Sequence, residues 1–283
     1  ESIPYGTWYV REIEQPDGFV LDDTIYPVTI GADGQVVEIE IVNKYVRGNI
    51  HLTKVDSEYP DNKLTGATFE VYKDSNANGK LDDGDDLLGT LTEKEIGEYG
   101  MNDLFYGRYF VKETKAPEGF VLDTGVYEVM IDTNGKTYEV ENKAGVGFVN
   151  DAMRGNLKIV KTSSDGKVKG FAFRITGANG YDIILETNDK GEIFIDGLRI
   201  GDYTISEVSN SASSMYVLPA DKKATVKLGS TTIVEMHNVL RDTPKTGDTT
   251  NLPLLYTLAG LSAVGIAVCG IIGFKKKKKE DRN

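Results

Sequence analysis

Short runs of alternating apolar and polar residues fill the chain up to about residue 240, broken repeatedly by turn-forming residues. Side chains of an extended strand point to opposite faces in turn, so a period of two predicts β-strands. Ile50-His51-Leu52-Thr53-Lys54 and Leu157-Lys158-Ile159-Val160-Lys161 show it clearly. Ala32-Asp33-Gly34, Thr133-Asn134-Gly135 and Asp189-Lys190-Gly191 predict tight turns between such runs. No long stretch of this body carries a 3.6-residue period. The expected fold class is all-β, built of tandem antiparallel Greek-key sandwiches.

Internal repeats divide the body. Tyr9-Val10-Arg11-Glu12 followed by Pro16-Asp17-Gly18-Phe19-Val20-Leu21-Asp22 returns, 101 residues on, as Tyr109-Phe110-Val111-Lys112-Glu113 and Pro117-Glu118-Gly119-Phe120-Val121-Leu122-Asp123. Arg47-Gly48-Asn49-Ile50 returns, 107 residues on, as Arg154-Gly155-Asn156-Leu157. A looser copy runs from Gly201 to Glu207. The units expected are a C-terminal half repeat over 1–44, a complete repeat over 47–151 and a shorter complete repeat over 154–240. The chain starts in mid-repeat with no leader-like segment, so upstream domains and a signal peptide are expected to precede it.

Strand parity brings the chemistry. Ile50, Leu52 and Lys54 share one face, as do Leu157, Ile159 and Lys161. Tyr109 and Val111 share theirs with Glu113, Tyr203 and Ile205 with Glu207, and Trp8 and Val10 with Glu12. Before each boundary Ile41 pairs in parity with Asn43, Phe148 with Asn150 and Met236 with Asn238. Each complete unit is therefore expected to turn a Lys, a Glu and an Asn inward. Burial lowers a lysine pKa and raises a glutamate pKa, because both charged forms lose solvation. A neutral amine is a nucleophile, and a protonated carboxyl can shuttle protons at a neighbouring carboxamide. Asn142, in Glu141-Asn142-Lys143, is a rival to Asn150 for this role.

Composition narrows the alternatives. A single cysteine, Cys269, excludes a disulfide in the body, and two histidines leave no multi-His zinc site and argue against a serine triad. Net charge is −12, of which the tail Lys275–Asn283 carries +4, leaving −16 on the rest. So acidic a body argues against nucleic acid as a partner. No enzyme acting on an external substrate is expected.

The first-strand lysine, the box from Tyr109 to Phe120 and the last-strand asparagine resemble the collagen-adhesin B-type repeat, a prealbumin-like module also found in pilins. The resemblance implies spontaneous isopeptide bonds: Lys54 to Asn150 promoted by Glu113, and Lys161 to Asn238 promoted by Glu207. The third unit departs from the family pattern, since no Pro-Glu-Gly-Phe follows Glu207. The half repeat keeps Glu12 and Asn43, with its lysine expected upstream.

Thr243-Pro244-Lys245-Thr246-Gly247 precedes an uncharged run, Leu252–Phe274, and the lysine cluster Lys275–Lys279. About 20 apolar residues span a bilayer as a helix, and lysine clusters stay cytoplasmic. Pentapeptide, span and basic tail together resemble a sortase cell-wall sorting signal. The resemblance implies cleavage between Thr246 and Gly247 by a sortase and transfer to peptidoglycan, with 241–251 a linker, 252–274 a transmembrane helix of the precursor and 275–283 a cytoplasmic tail. Thr243 replaces the usual Leu, which leaves the sortase class open.

Asp74, Asn76, Asn78, Lys80 (through its carbonyl), Asp82 and Asp85 fall at positions 1, 3, 5, 7, 9 and 12 of a loop with Gly79 at position 6, the spacing of an EF-hand calcium loop. A structural Ca2+ ion is expected there. Three functional classes fit: a wall-anchored adhesin or stalk whose ligand binds upstream, the spacer of a wall-anchored enzyme, and a sortase-assembled pilin subunit.

Overall fold

The computed structural model describes residues 3–242. The sorting pentapeptide at 243–247, the apolar run at 252–274 and the basic tail at 275–283 lie outside the described residues. Among the described residues no helix is long and apolar enough to cross a membrane.

The alternating runs form strands, and the strands form two-sheet sandwiches. In the middle unit one sheet orders Val126–Ile131, Gly107–Lys115, Thr68–Lys73 and Asp86–Thr90. The facing sheet orders Thr137–Glu139, Arg47–Asp56, Glu98–Phe105 and Thr92–Glu95, and Phe148–Asn150 also pairs with Arg47–Asp56. In the third unit Glu192–Arg199, Arg154–Ser163, Thr231–Leu240 and Tyr216–Val217 face Asp182–Glu186, Ala172–Thr176, Gly201–Val208 and Lys222–Val226.

The recurring Arg-Gly-Asn block has a structural cause. The register slips between Gly48 and Ile50 and again between Gly155 and Leu157, a β-bulge in each first strand. Asn49 fills it in the middle unit by accepting the Asp103 N–H at 3.1 Å, and Asn156 accepts the Gly197 N–H at 3.1 Å.

One expectation is corrected: the sandwiches are not antiparallel throughout. Phe148–Asn150 runs parallel to Arg47–Asp56, and Thr231–Leu240 runs parallel to Arg154–Ser163. Alternation has the same period in both ladder types, so it carries no sign of strand direction.

Apolar faces meet between the sheets. Phe69 packs edge-on against Tyr99 and Phe148, with centroids 5.3 and 4.9 Å apart, among Leu52, Val71, Val111 and Ile131. Leu157, Ile159, Phe173, Ile205 and Met236 do the same in the third unit. Residues 3–45 form two small ladders, Gly6–Val10 with Tyr26–Ile30 and Phe19–Val20 with Lys44–Tyr45. There a second expectation fails. Trp8 and Val10 are exposed, whereas their counterparts Tyr109 and Val111 are buried, because no facing sheet covers them among the described residues.

Candidate functional site

Lys54 sits on the inner face of the first strand of the middle unit and is 0% exposed. Its Nζ donates to the carbonyls of Phe148 at 3.1 Å and Val55 at 3.4 Å, over the Phe148 ring. Its backbone N–H donates to the Gly97 carbonyl at 2.7 Å. Gly97 holds φ at +71°, and a Cβ there would stand 2.9 Å from the Lys54 carbonyl oxygen, so only glycine fits. Gly191 repeats this against Lys161 with φ at +75° and a 2.7 Å clash. These two glycines seat the lysine backbones. Gly191 is visible in the sequence only as a turn residue; the signal for both is the recurring Gly-Glu pair, Gly97-Glu98 and Gly191-Glu192.

Parallel register brings the asparagine to the lysine. Lys54 stands opposite Phe148, and Asn150 is two residues farther on the same face; Lys161 stands opposite Met236, with Asn238 two farther. Glu113 comes from the opposite sheet. Its Oε2 accepts the Asn150 Nδ2–H at 2.7 Å and the Asp123 N–H at 2.8 Å. In the third unit Glu207 accepts the Asn238 Nδ2–H at 2.6 Å. Lys161 is 1% exposed, donates to the Thr162 carbonyl, and lies 4.1 Å from the Phe171 ring centroid.

The other asparagine, Asn142, stands apart from Glu113. Its Nδ2 donates to Asp123 at 2.7 Å and to the Val149 carbonyl at 2.8 Å, while its Oδ1 accepts the Val149 N–H. It therefore pins the strand that carries Asn150. In the half repeat Asn43 Nδ2 donates to Glu12 at 2.6 Å, and the Asp22 N–H donates to Glu12 at 2.8 Å, as Asp123 does to Glu113. The acid–amide pair is thus kept in all three units, while the lysine strand has no counterpart among residues 3–44.

Burial sets the protonation. It pulls the Lys54 ammonium down to about 8, against the opposing pull of Glu113, and pulls Lys161 down as well. It pushes Glu113 and Glu207 above the usual carboxylate range. Asp123 goes the other way: burial pushes it up, but hydrogen bonds from Asn142, Gly125 and Tyr127 outweigh that and hold it low. Four buried oxygens lack any partner: Glu113 Oε1, Asn150 Oδ1, Glu207 Oε2 and Asn238 Oδ1. In each unit they are the free oxygens of the bonded acid–amide pair. One proton on the carboxyl supplies the donor that both lack. Chemically, each complete unit holds an amine that sheds its charge readily, a carboxyl disposed to hold a proton, and a carboxamide between strands.

The loop between Thr68–Lys73 and Asp86–Thr90 gathers the expected calcium ligands. Their polar atoms face one another and the loop backbone. Asp74 accepts the N–H groups of Asn78 and Gly79, and Asp85 accepts those of Ser75 and Asp82. Asn76 and Asn78 turn their amide nitrogens to Asp82, at 3.0 and 2.6 Å. The Lys80 N–H donates to Asn78. Among the described residues no group of three or more His, Cys, Asp or Glu side chains is arranged to hold a metal ion.

Comparison with known proteins places this architecture. The chain is 28% identical over 184 residues to the trypsin-resistant surface T6 protein of Streptococcus pyogenes serotype M6, covering 64% of the chain and 30% of that protein. It therefore spans under a third of that relative's length. Among solved structures it is similar to the Bacillus anthracis TIE protein, at 25% identity and TM-score 0.62 over 83% of this chain and 42% of that one. It also matches a streptococcal ancillary pilin, at 22% identity and TM-score 0.31 over 85% of this chain and 77% of that one. The SpaA prealbumin-like fold domain matches at residues 1–45, 48–144 and 155–239, and the chain belongs to that family.

Proposed function

We propose that the chain is the stalk of a surface adhesin or pilus-like protein, whose complete units are each closed by a Lys–Asn isopeptide bond. The enclosed Lys–Glu–Asn group, present in both complete units with the amide nitrogen bonded to the carboxyl, carries the proposal. The free amine of Lys54 attacks Asn150 Cγ. A Nζ–Cγ bond forms and the Cγ–Nδ2 bond breaks. One Nζ proton passes through Glu113 to Nδ2, which leaves as ammonia. Lys161, Glu207 and Asn238 act alike. Each bond closes a loop of nearly a whole unit, which by analogy with disulfides stabilises it by about 4–5 kcal/mol.

Similarity to a streptococcal surface protein supports a place outside the cell. The segment from Thr243 to Asn283 then supplies the anchor: sortase cleavage after Thr246, transfer to peptidoglycan, and a membrane span at 252–274 held only by the precursor. A stalk of this kind would hold out a domain that binds a host or neighbouring-cell ligand.

Intact mass of the folded chain is the test. The expected value is lower than the sequence mass by one ammonia per complete unit, two in all, with Asn43 unchanged. Glu113→Ala should restore one ammonia and lower the unfolding midpoint of the middle unit. A full sequence mass in the folded native chain would refute the cross-links.

A calcium ion in the 74–85 loop is a second, independent proposal, supported by the ligand spacing.

A further inference from the structure

Each Lys–Asn cross-link would release one ammonia. Ammonia forms at Asn150, where Lys54, Glu113 and Asn150 are at most 3% exposed, so it needs a way out. An open cleft of about 250 Å³ adjoins Asn150, lined by Val121, Leu122, Asp123, Thr124 and Asn142, of which Val121, Leu122 and Thr124 are exposed. That volume holds several waters, each taking roughly 30 Å³. Asn150 Nδ2, the atom that leaves, already donates at 2.5 Å to the Val121 carbonyl in the cleft wall. Beyond it stands the Asp123 carboxylate, held by Tyr127 and Asn142. The Asn150 Oδ1, on the same carboxamide, is buried and unpartnered.

We infer that this cleft is the release site for ammonia, with the Val121 carbonyl receiving the departing nitrogen and Asp123 binding it as ammonium on its way to solvent. The inference rests on the cross-link proposal. The step balances: Nδ2 leaves with its two hydrogens and the proton relayed by Glu113, and the ammonia takes up a further proton from solvent. The Val121 carbonyl and the Asp123 carboxylate both accept hydrogen bonds, which suits ammonia and ammonium, whose nitrogens carry three or four N–H bonds. Asp123 is a positioning residue, since it touches the leaving group only after the bond has broken.

The test uses the full chain, recovered unfolded and refolded by dilution, with cross-linked peptides of the middle and third units followed by mass over time. Leu122→Trp fills part of the cleft and Asp123→Asn removes the charge. Both should slow loss of ammonia from the middle unit by about tenfold, while the Lys161–Asn238 bond forms at its native rate in the same molecules. In the native chain, ammonium chloride should slow the middle unit relative to sodium chloride at equal ionic strength, and Asp123→Asn should erase that difference. A native rate in the middle unit of both variants, or equal effects of the two salts on the native chain, would overturn the inference. If a variant fails to fold, the salt comparison on the native chain still decides. Absence of ammonia loss from either unit of the native chain is a separate result, which sinks the cross-link proposal itself.

Discussion

A lysine enclosed by Phe148 and the backbone of its own strand loses most of the solvation that favours its charge. The same enclosure favours the neutral acid at Glu113, so one apolar interior moves both groups toward the reactive state. These shifts fix a pH dependence. In an Asn150→Ala, Asn238→Ala chain no bond can form, and the buried groups titrate. The lysine pKa is lowered, so the unfolded chain binds more protons and stability should rise as pH climbs from about 8 toward 10.5. The glutamate pKa is raised, so its contribution is full below 4.5 and is lost as pH rises through the folded value. Urea midpoints should therefore fall above pH 4.5, reach a floor between the two ranges and rise again above about 8; a profile with neither the fall nor the rise would mean that neither group is enclosed in solution. Strand parity makes Lys54, Glu113, Lys161, Glu207 and Asn238 legible from the sequence, since each follows apolar residues at spacing two. It cannot choose between Asn142 and Asn150, which both lie near apolar residues in the same closing stretch. The spacing to the next Arg-Gly-Asn favours Asn150, which like Asn43 lies four residues before it, and the pairing of Asn142 to Asp123 and of Asn150 to Glu113 sets the two apart.

At the level of elements, alternation and turn residues locate the strands, and the repeat offset groups them. The direction of the closing strand is invisible to both, because it depends on how the chain crosses between sheets. Coverage is equally invisible: the face of Trp8 and Val10 reads like that of Tyr109 and Val111 and is exposed. The 74–85 loop is an element whose spacing is legible and whose ion is not. Its carboxylates are satisfied by N–H groups of the same loop, which any acidic turn can do. Calcium binding to the folded state should raise the melting temperature of the native chain relative to chelator, by about 2.7 kcal/mol of stabilisation at a hundredfold excess over the dissociation constant. Asp74→Ala should abolish the difference. Coincident melting curves with and without chelator would remove the site.

Across the whole molecule, the middle and third units meet through charges. Arg199 donates to Asp56 at 2.5 and 2.8 Å and to Glu58 at 2.7 Å, and lies 4.8 Å over the Tyr59 ring. Arg154 adds a second pair to Glu58. Backbone bonds from Met153 to Gly119 and from Ile200 to Met153 fasten the short link between the units. Asp56 is nearly wholly enclosed, so Arg199→Ala leaves a buried carboxylate without its cation, at a cost of about 3–5 kcal/mol. Scattering profiles of that variant should show a broader range of inter-unit angles, while both ammonia losses persist. An unchanged profile would show that the backbone bonds alone hold the joint.

The parallel closing pair also decides how a pull is met. Load enters each complete unit at the start of its first strand and leaves beyond the end of its last. Two neighbouring strands running the same way are then dragged past each other lengthwise, so all the ladder bonds between them are strained at once instead of parting one after another like a zip. Eight register pairs from Asn156–Thr231 to Ser163–Asn238 share the load in the third unit, before any covalent bond is considered.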